Sequence, residues 1–193
     1  MRTWRLTNTT YSTWLPGDRR GSVTSVRVPT TDTRVEFDAP GEPYVGSIPA
    51  LQDAARRQMK GPPIYLDFKK AQVLAEQFLE TARFRARTIQ ALAVMHNHWH
   101  IVVEVPGDPN PSKLLGDFKA WGTHRQTREF GEPPSRTWWT DGGSARILRD
   151  ALAVSSAINY VLKKQPNPLI LWPTDRAGTP AADAGRLALG ELT

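Results

Sequence analysis

From residue 98 to 105 the chain reads His-Trp-His-Ile-Val-Val-Glu-Val, and alternate positions sort into two chemically distinct sets. In a strand, Trp99, Ile101, Val103 and Val105 share one face, while His98, His100, Val102 and Glu104 share the other. The first set is expected to face the core. Residues 87–95 read as a second strand, and the short polar break between the two predicts a hairpin. Residues 3–13, rich in Thr and aromatics, predict a strand, and residues 22–29 a short one. A helix is predicted over 68–84, where Val73, Leu74, Phe78, Leu79 and Ala82 lie on one side and Lys69, Lys70, Glu76 and Glu80 lie elsewhere. A second helix is predicted over 111–129, with Pro111 suited to its first turn, Ser112 able to cap and Gly122 weakening its middle. A third covers 150–164 and is stopped by Pro166 and Pro168. A weaker helix falls near 49–59, and 144–149 reads as a strand or loop. The order of these elements predicts an α+β domain with an antiparallel sheet; strand order is not readable from it.

The rest of the chain is less patterned. Residues 29–63 are rich in Pro, Thr, Gly and Asp and read as an extended excursion. One domain is expected over 1–172, ending on a docked Trp172, with a flexible tail over 173–193. The chain has 193 residues, enough for a real core, and no cysteine, which excludes disulfides, thiolate metal sites and cysteine catalysis. No segment has the length and apolarity of a signal peptide or a membrane span, so a cytoplasmic protein without membrane contact is expected. The net charge of +6 and pI near 9.9 favour approach to a polyanion but say nothing about the fold.

Candidate chemistry concentrates in two places. His98 and His100 stand roughly 6–7 Å apart at the backbone on one strand face, where both imidazoles can converge on a divalent cation through nitrogens about 2.1 Å from it. Strand histidines with ordinary hydrogen bonds are the alternative. Two imidazoles do not identify the metal: they suit Zn, Ni or Co, whereas Mg and Mn need additional oxygen donors. His96 precedes the strand and is not placed among the ligands.

The second place is Tyr160. Among the four tyrosines it alone lies in a well-patterned helix downstream of the histidines. Leu148, Ala151, Leu152, Ile158, Val161 and Leu162 offer that helix a packing surface. Arg149, Ala153, Ser156, Tyr160 and Lys164 fall on a less apolar face. A half-exposed interface tyrosine is the plain alternative. With a metal beside it, a tyrosine hydroxyl can attack a phosphodiester and form a phosphotyrosyl link. Lys164 or Gln165, about one turn further on, could orient the hydroxyl or reach the phosphate, and Gln165 could offer an oxygen to the metal.

Met95-His96-Asn97-His98-Trp99-His100-Ile101-Val102-Val103 resembles the histidine strand of the single-tyrosine HUH endonucleases, among them small insertion-sequence transposases and the tyrosine transposases associated with repetitive extragenic palindromes. Trp99 fills the hydrophobic middle position, and His96 stands where proline is commoner. Ile158-Asn159-Tyr160-Val161-Leu162-Lys163-Lys164-Gln165 resembles the family's nucleophile helix, and residues 112–121 its intervening helix. The resemblance implies a ferredoxin-like antiparallel sheet with flanking helices, a homodimer, and Mg or Mn as the divalent cofactor. It implies a transposase that cleaves hairpin-bearing single-stranded DNA, forming a 5′-phosphotyrosine on Tyr160, and that associates with the nucleoid when bound. In relatives a glutamine four residues past the tyrosine completes the metal site. Here Lys164 takes that position and Gln165 follows it, so Gln165 serves only where the helix is irregular before Pro166. A domesticated or catalytically weakened DNA-binding protein of the same fold is the alternative. Arg19, Arg20, Lys119, Arg125, Lys163 and Lys164 are candidates for phosphate contact, and Trp121 or Trp138 for stacking a base.

Overall fold

The computed structural model describes residues 1–19, 26–27, 34–35 and 47–173. Strand β1 (Arg2–Thr9) alternates buried and partly exposed positions, with Trp4, Leu6 and Asn8 inward on one side. Strand β2 (Val26–Arg27) falls within the short strand expected over 22–29 and pairs with β3 (Arg34–Val35), and helix α1 (Pro49–Arg57) falls on the weaker helix expected near 49–59. Then follow α2 (Phe68–Phe84), β4 (Thr88–Val94), β5 (His98–Val105), α3 (Pro111–Phe130), β6 (Ser144–Leu148), α4 (Ala151–Lys163) and β7 (Ile170–Trp172).

The main sheet has the order β6-β1-β5-β4-β7, and every pairing in it is antiparallel. Four of its strands, β6, β1, β5 and β4, form with α2 and α3 two interlocked units, β1-α2-β4 and β5-α3-β6. This is the β-α-β-β-α-β order of a ferredoxin-like sheet, the α+β architecture expected, extended at one edge by β7.

Both faces of the sheet are covered, and the alternation in β5 assigns them. Trp99, Ile101, Val103 and Val105 enter the larger core with Leu74, Phe78, Leu114 and Phe118 from α2 and α3. Phe78 meets Trp99 and Phe118 edge-on, with ring centroids 4.8 and 5.6 Å away. Gly122 has a packing reason: a Cβ there would meet Leu74 and Phe78 of α2 at 3.0 and 3.2 Å. On the opposite face, Val102 joins Ala91, Ala93 and Met95 beneath Ala157, Val161 and Leu162 of α4. The alanines of β4 leave room for α4 to lie close to the sheet. Leu152, expected on the packing surface, is instead 76% exposed, because only the second half of α4 bears on the small-residue strip.

Helix starts follow local chemistry. The side chains of Asp67, Asn110 and Asp150 accept backbone N–H groups at the openings of α2, α3 and α4. Asn110, rather than Ser112, is thus the cap of α3, with Pro111 in its first turn. Among the described residues no helix is long and apolar enough to cross a membrane. Arg20 and residues 174–193 of the expected tail lie outside the described residues, as does most of 29–46.

Candidate functional site

The site is the end of the sheet face covered by α4. Strand register places it: β1 pairs with β5 so that Thr7 lies opposite His100, Thr9 opposite His98 and Arg5 opposite Val102. Arg5, Thr7 and Thr9 therefore share the face that carries both histidines. The turn before β5 is tied down by the end of β1. The Asn97 carbonyl accepts the Thr10 N–H at 2.9 Å and the hydroxyls of Thr10 and Thr13 at 3.1 and 3.2 Å.

That anchoring lets Asn97 orient its neighbour. The His98 Nδ1 lies 2.6 Å from Asn97 Oδ1. A carbonyl oxygen only accepts, so Nδ1 carries a proton and Nε2 is the nitrogen that a cation would use. The His100 Nδ1 lies 2.6 Å from Thr7 Oγ1, which again commits Nδ1 and leaves Nε2. The two imidazoles stand edge to face, centroids 5.0 Å apart. His100 is buried, 6% exposed, and its pKa is pushed down to about 3. Burial is the main cause, the charges on His98 and Arg5 add to it, and a hydrogen bond with Gln165 opposes it. His100 is thus a neutral imidazole at any ordinary pH, the form in which histidine binds a cation.

Tyr160 projects from α4 onto this pair. Its ring lies 5.6 Å from that of His100, centroid to centroid, at 71°, and the Arg5 guanidinium sits over it, 5.2 Å from the ring centroid. The phenol is 39% exposed, so one side faces solvent and the other the site. The two residues after α4 separate clearly. Lys164 is exposed and forms the C-cap, its N–H bound to the Tyr160 carbonyl. The regular helix ends there, so Gln165 no longer sits 100° further around it. Its Nε2 donates to the Tyr160 carbonyl at 3.4 Å, and its side chain reaches close enough to His100 to oppose the lowering of that residue's pKa. The structure therefore brings His98, His100, Tyr160 and Gln165 together.

This donor set fits a divalent cation in its chemistry: two imidazoles with oriented Nδ1 groups, that of His100 neutral, and an amide oxygen. Among the described residues no three His, Cys, Asp or Glu side chains converge as a metal site, so the third protein donor would be Gln165.

The other candidates scatter. Lys163 and Arg19 are exposed. Arg125 pairs with Glu129, 3.2 Å away on its own helix. Trp121 is 41% exposed and stands edge-on to His124, centroids 6.0 Å apart. Two candidates are held by the scaffold. Lys119 is not a free cation: its Nζ donates to the carbonyls of Thr140 and Gly142 at 2.9 and 2.8 Å, and burial lowers its pKa against the pull of Asp141. Trp138 cannot stack a base, since it is buried with its Nε1 donating to Thr127 at 3.0 Å. Arg5 and Thr7 were missed by sequence reasoning. Their only signal is the polar half of the alternation in β1, which becomes meaningful once β1 is known to lie beside β5.

No family model matches the chain, and no curated protein matches it. The solved structures similar in shape include two transposases. A tyrosine transposase associated with repetitive extragenic palindromes, bound to a hairpin of that repeat, is 16% identical with a TM-score of 0.44, over 84% of this chain. This chain spans 66% of that protein's length, just under two thirds. A Deinococcus radiodurans R1 protein assigned as a transposase is 13% identical with a TM-score of 0.40, over 86% of this chain and 92% of that one.

Proposed function

We propose that this chain is a metal-dependent, single-tyrosine endonuclease and strand transferase acting on hairpin-bearing single-stranded DNA. The observation that carries this reading is the meeting of Tyr160 with His100 at 5.6 Å, beside His98, within one chain.

The Tyr160 oxygen attacks the scissile phosphorus, its proton passes to solvent on the exposed side, and the bond to the 3′ oxygen breaks, the leaving oxygen taking a proton from solvent. The products are a 5′-phosphotyrosine and a free 3′-hydroxyl. Attack by another 3′-hydroxyl reverses the chemistry and releases Tyr160, so strands rejoin without an external energy source. His98, His100 and Gln165 would hold Mg²⁺ or Mn²⁺, which when bound supplies positive charge to the phosphate oxygens. Arg5 adds a fixed positive charge over the tyrosine. It disfavours a bare cation and favours one that arrives with a phosphate, because the anion then separates the two positive charges. Thr7 and Asn97 keep the imidazoles oriented.

A second reading, a DNA-binding protein of this fold without turnover, is favoured by the lack of a carboxylate or third imidazole beside the histidines among the described residues. One experiment separates the two. The protein is incubated with hairpin-bearing single-stranded DNA and Mg²⁺ or Mn²⁺, and a covalent adduct is sought on a denaturing gel. The nuclease reading expects an adduct that chelation abolishes and that Tyr160→Phe lacks. Binding without any adduct would select the second reading, and an adduct formed equally by Tyr160→Phe would refute the mechanism.

A further inference from the structure

We propose that the stacked rings of Tyr65 and His96 form a platform for one nucleobase of the DNA strand bound at the histidine pair. This inference rests on the single-stranded DNA reading above. The two rings lie 5.7 Å apart, centroid to centroid, with only 17° between their planes. Tyr65 is 57% exposed, and His96 is exposed too. Neither takes part in the chemistry proposed for Tyr160.

The pair is held rigidly although it faces solvent. The Leu66 N–H donates to the His96 carbonyl at 2.7 Å, and the Ile64 N–H to the Tyr11 carbonyl at 3.0 Å. Leu66, next in sequence to Tyr65, is 3% exposed and plugs the large core. The segment carrying Tyr65 is therefore pinned on both sides of that residue, and the ring is presented without a large cost in backbone entropy.

Its position selects the ligand. His96 stands two residues before His98, in the turn whose Asn97 orients the His98 ring. A strand whose phosphate lies at His98 and His100 brings an adjacent base past this turn. Every base has a π face, and aromatic side chains bind single strands by stacking. Two rings fall far short of the roughly 800 Å² per partner of a stable protein interface, but they match the size of one base.

The test uses full-length Tyr160→Phe protein, which cannot cleave, and hairpin-bearing single-stranded DNA carrying 2-aminopurine at successive flanking positions. One position is expected to be quenched on binding. Tyr65→Ala should abolish that quenching and weaken binding roughly 5- to 150-fold, the range for loss of one stacked base. Tyr65→Phe should preserve both, and His96→Ala should reproduce part of the loss. Replacing the quenched nucleotide by an abasic one should weaken binding similarly, and Tyr65→Ala should then cost nothing more. The platform is overturned if Tyr65→Ala binds as the parent does, or weakens intact and abasic strands equally. It is also overturned if the substitution instead dissolves a protein dimer. If the parent binds no single-stranded DNA, the functional reading falls as well. If it binds and only the Tyr65 and His96 variants are without effect, the platform alone falls.

Discussion

The ring of Tyr160 lies against that of its own chain's His100, their centroids 5.6 Å apart. One copy of the chain thus holds a tyrosine and both histidines, whether or not it pairs with another. Mixing Tyr160→Phe protein with His98→Ala protein is accordingly expected to restore no adduct formation, because neither copy has a complete set. Recovery of activity in the mixture, read on a denaturing gel, would show that the site is shared between copies.

Arg5 contributes its guanidinium to the Tyr160 ring and its charge to His100. A cation over an exposed ring is worth about 0.5–1 kcal/mol, so Arg5→Ala should scarcely change thermal stability. It should slow adduct formation, since the charge beside the phosphate is lost, and Arg5→Lys should recover part of the rate. Equal single-turnover rates for the parent and Arg5→Ala would remove Arg5 from the site.

Gln165 and Lys164 are neighbours with different expected roles. Gln165→Ala should weaken Mn²⁺ binding measured by calorimetry, because it removes an amide oxygen that the imidazoles do not replace. Lys164→Ala, at an exposed cap, should leave that binding unchanged. The reverse pattern would assign the metal's third donor wrongly.

His100 makes stability depend on acid. The unfolded chain takes a proton on this residue near its ordinary value of about 6.5, whereas the folded chain resists it down to about 3. Between those values the unfolded state binds more protons, so stability falls as pH falls through that window. Urea midpoints at pH 7 and pH 4 should differ less for His100→Gln than for the parent. Asp67, whose pKa is lowered chiefly by hydrogen bonds with Lys70, acts in the same direction but contributes to both proteins.

Lys119 is expected to matter for folding rather than for DNA. Its two carbonyl bonds secure the loop at 140–142 to α3, and hydrogen bonds to a charged donor are worth about 1.5–3 kcal/mol. Lys119→Met should lower the denaturation midpoint while leaving the salt dependence of DNA binding unaltered. A reduced salt slope would show instead that it neutralises a phosphate.

How much of this was legible in the sequence depends on the range of the interaction involved. The strand at 98–105, its division into an apolar and a histidine face, the helix over 68–84 and the stop of α4 before Pro166 are properties of neighbouring residues. Side-chain alternation and helical spacing record them locally. Gln165 was legible only as an alternative, because its orientation depends on whether the helix continues through Lys164.

Only the tertiary structure decided what surrounds the histidine pair. Thr7 and His100 are 93 positions apart in sequence and 2.6 Å apart in space. The pairing of β1 with β5 joins them, and no local pattern encodes strand order. The same applies to Arg5 over Tyr160, and to Lys119 and Trp138, which composition alone makes candidates for DNA and which packing commits to the scaffold. His98 and His100 were marked as a pair by the sequence itself, through a period of two along one strand. Their orientation, the neutral state of His100 and the tyrosine beside them arise from groups that only the folded sheet and α4 bring within reach.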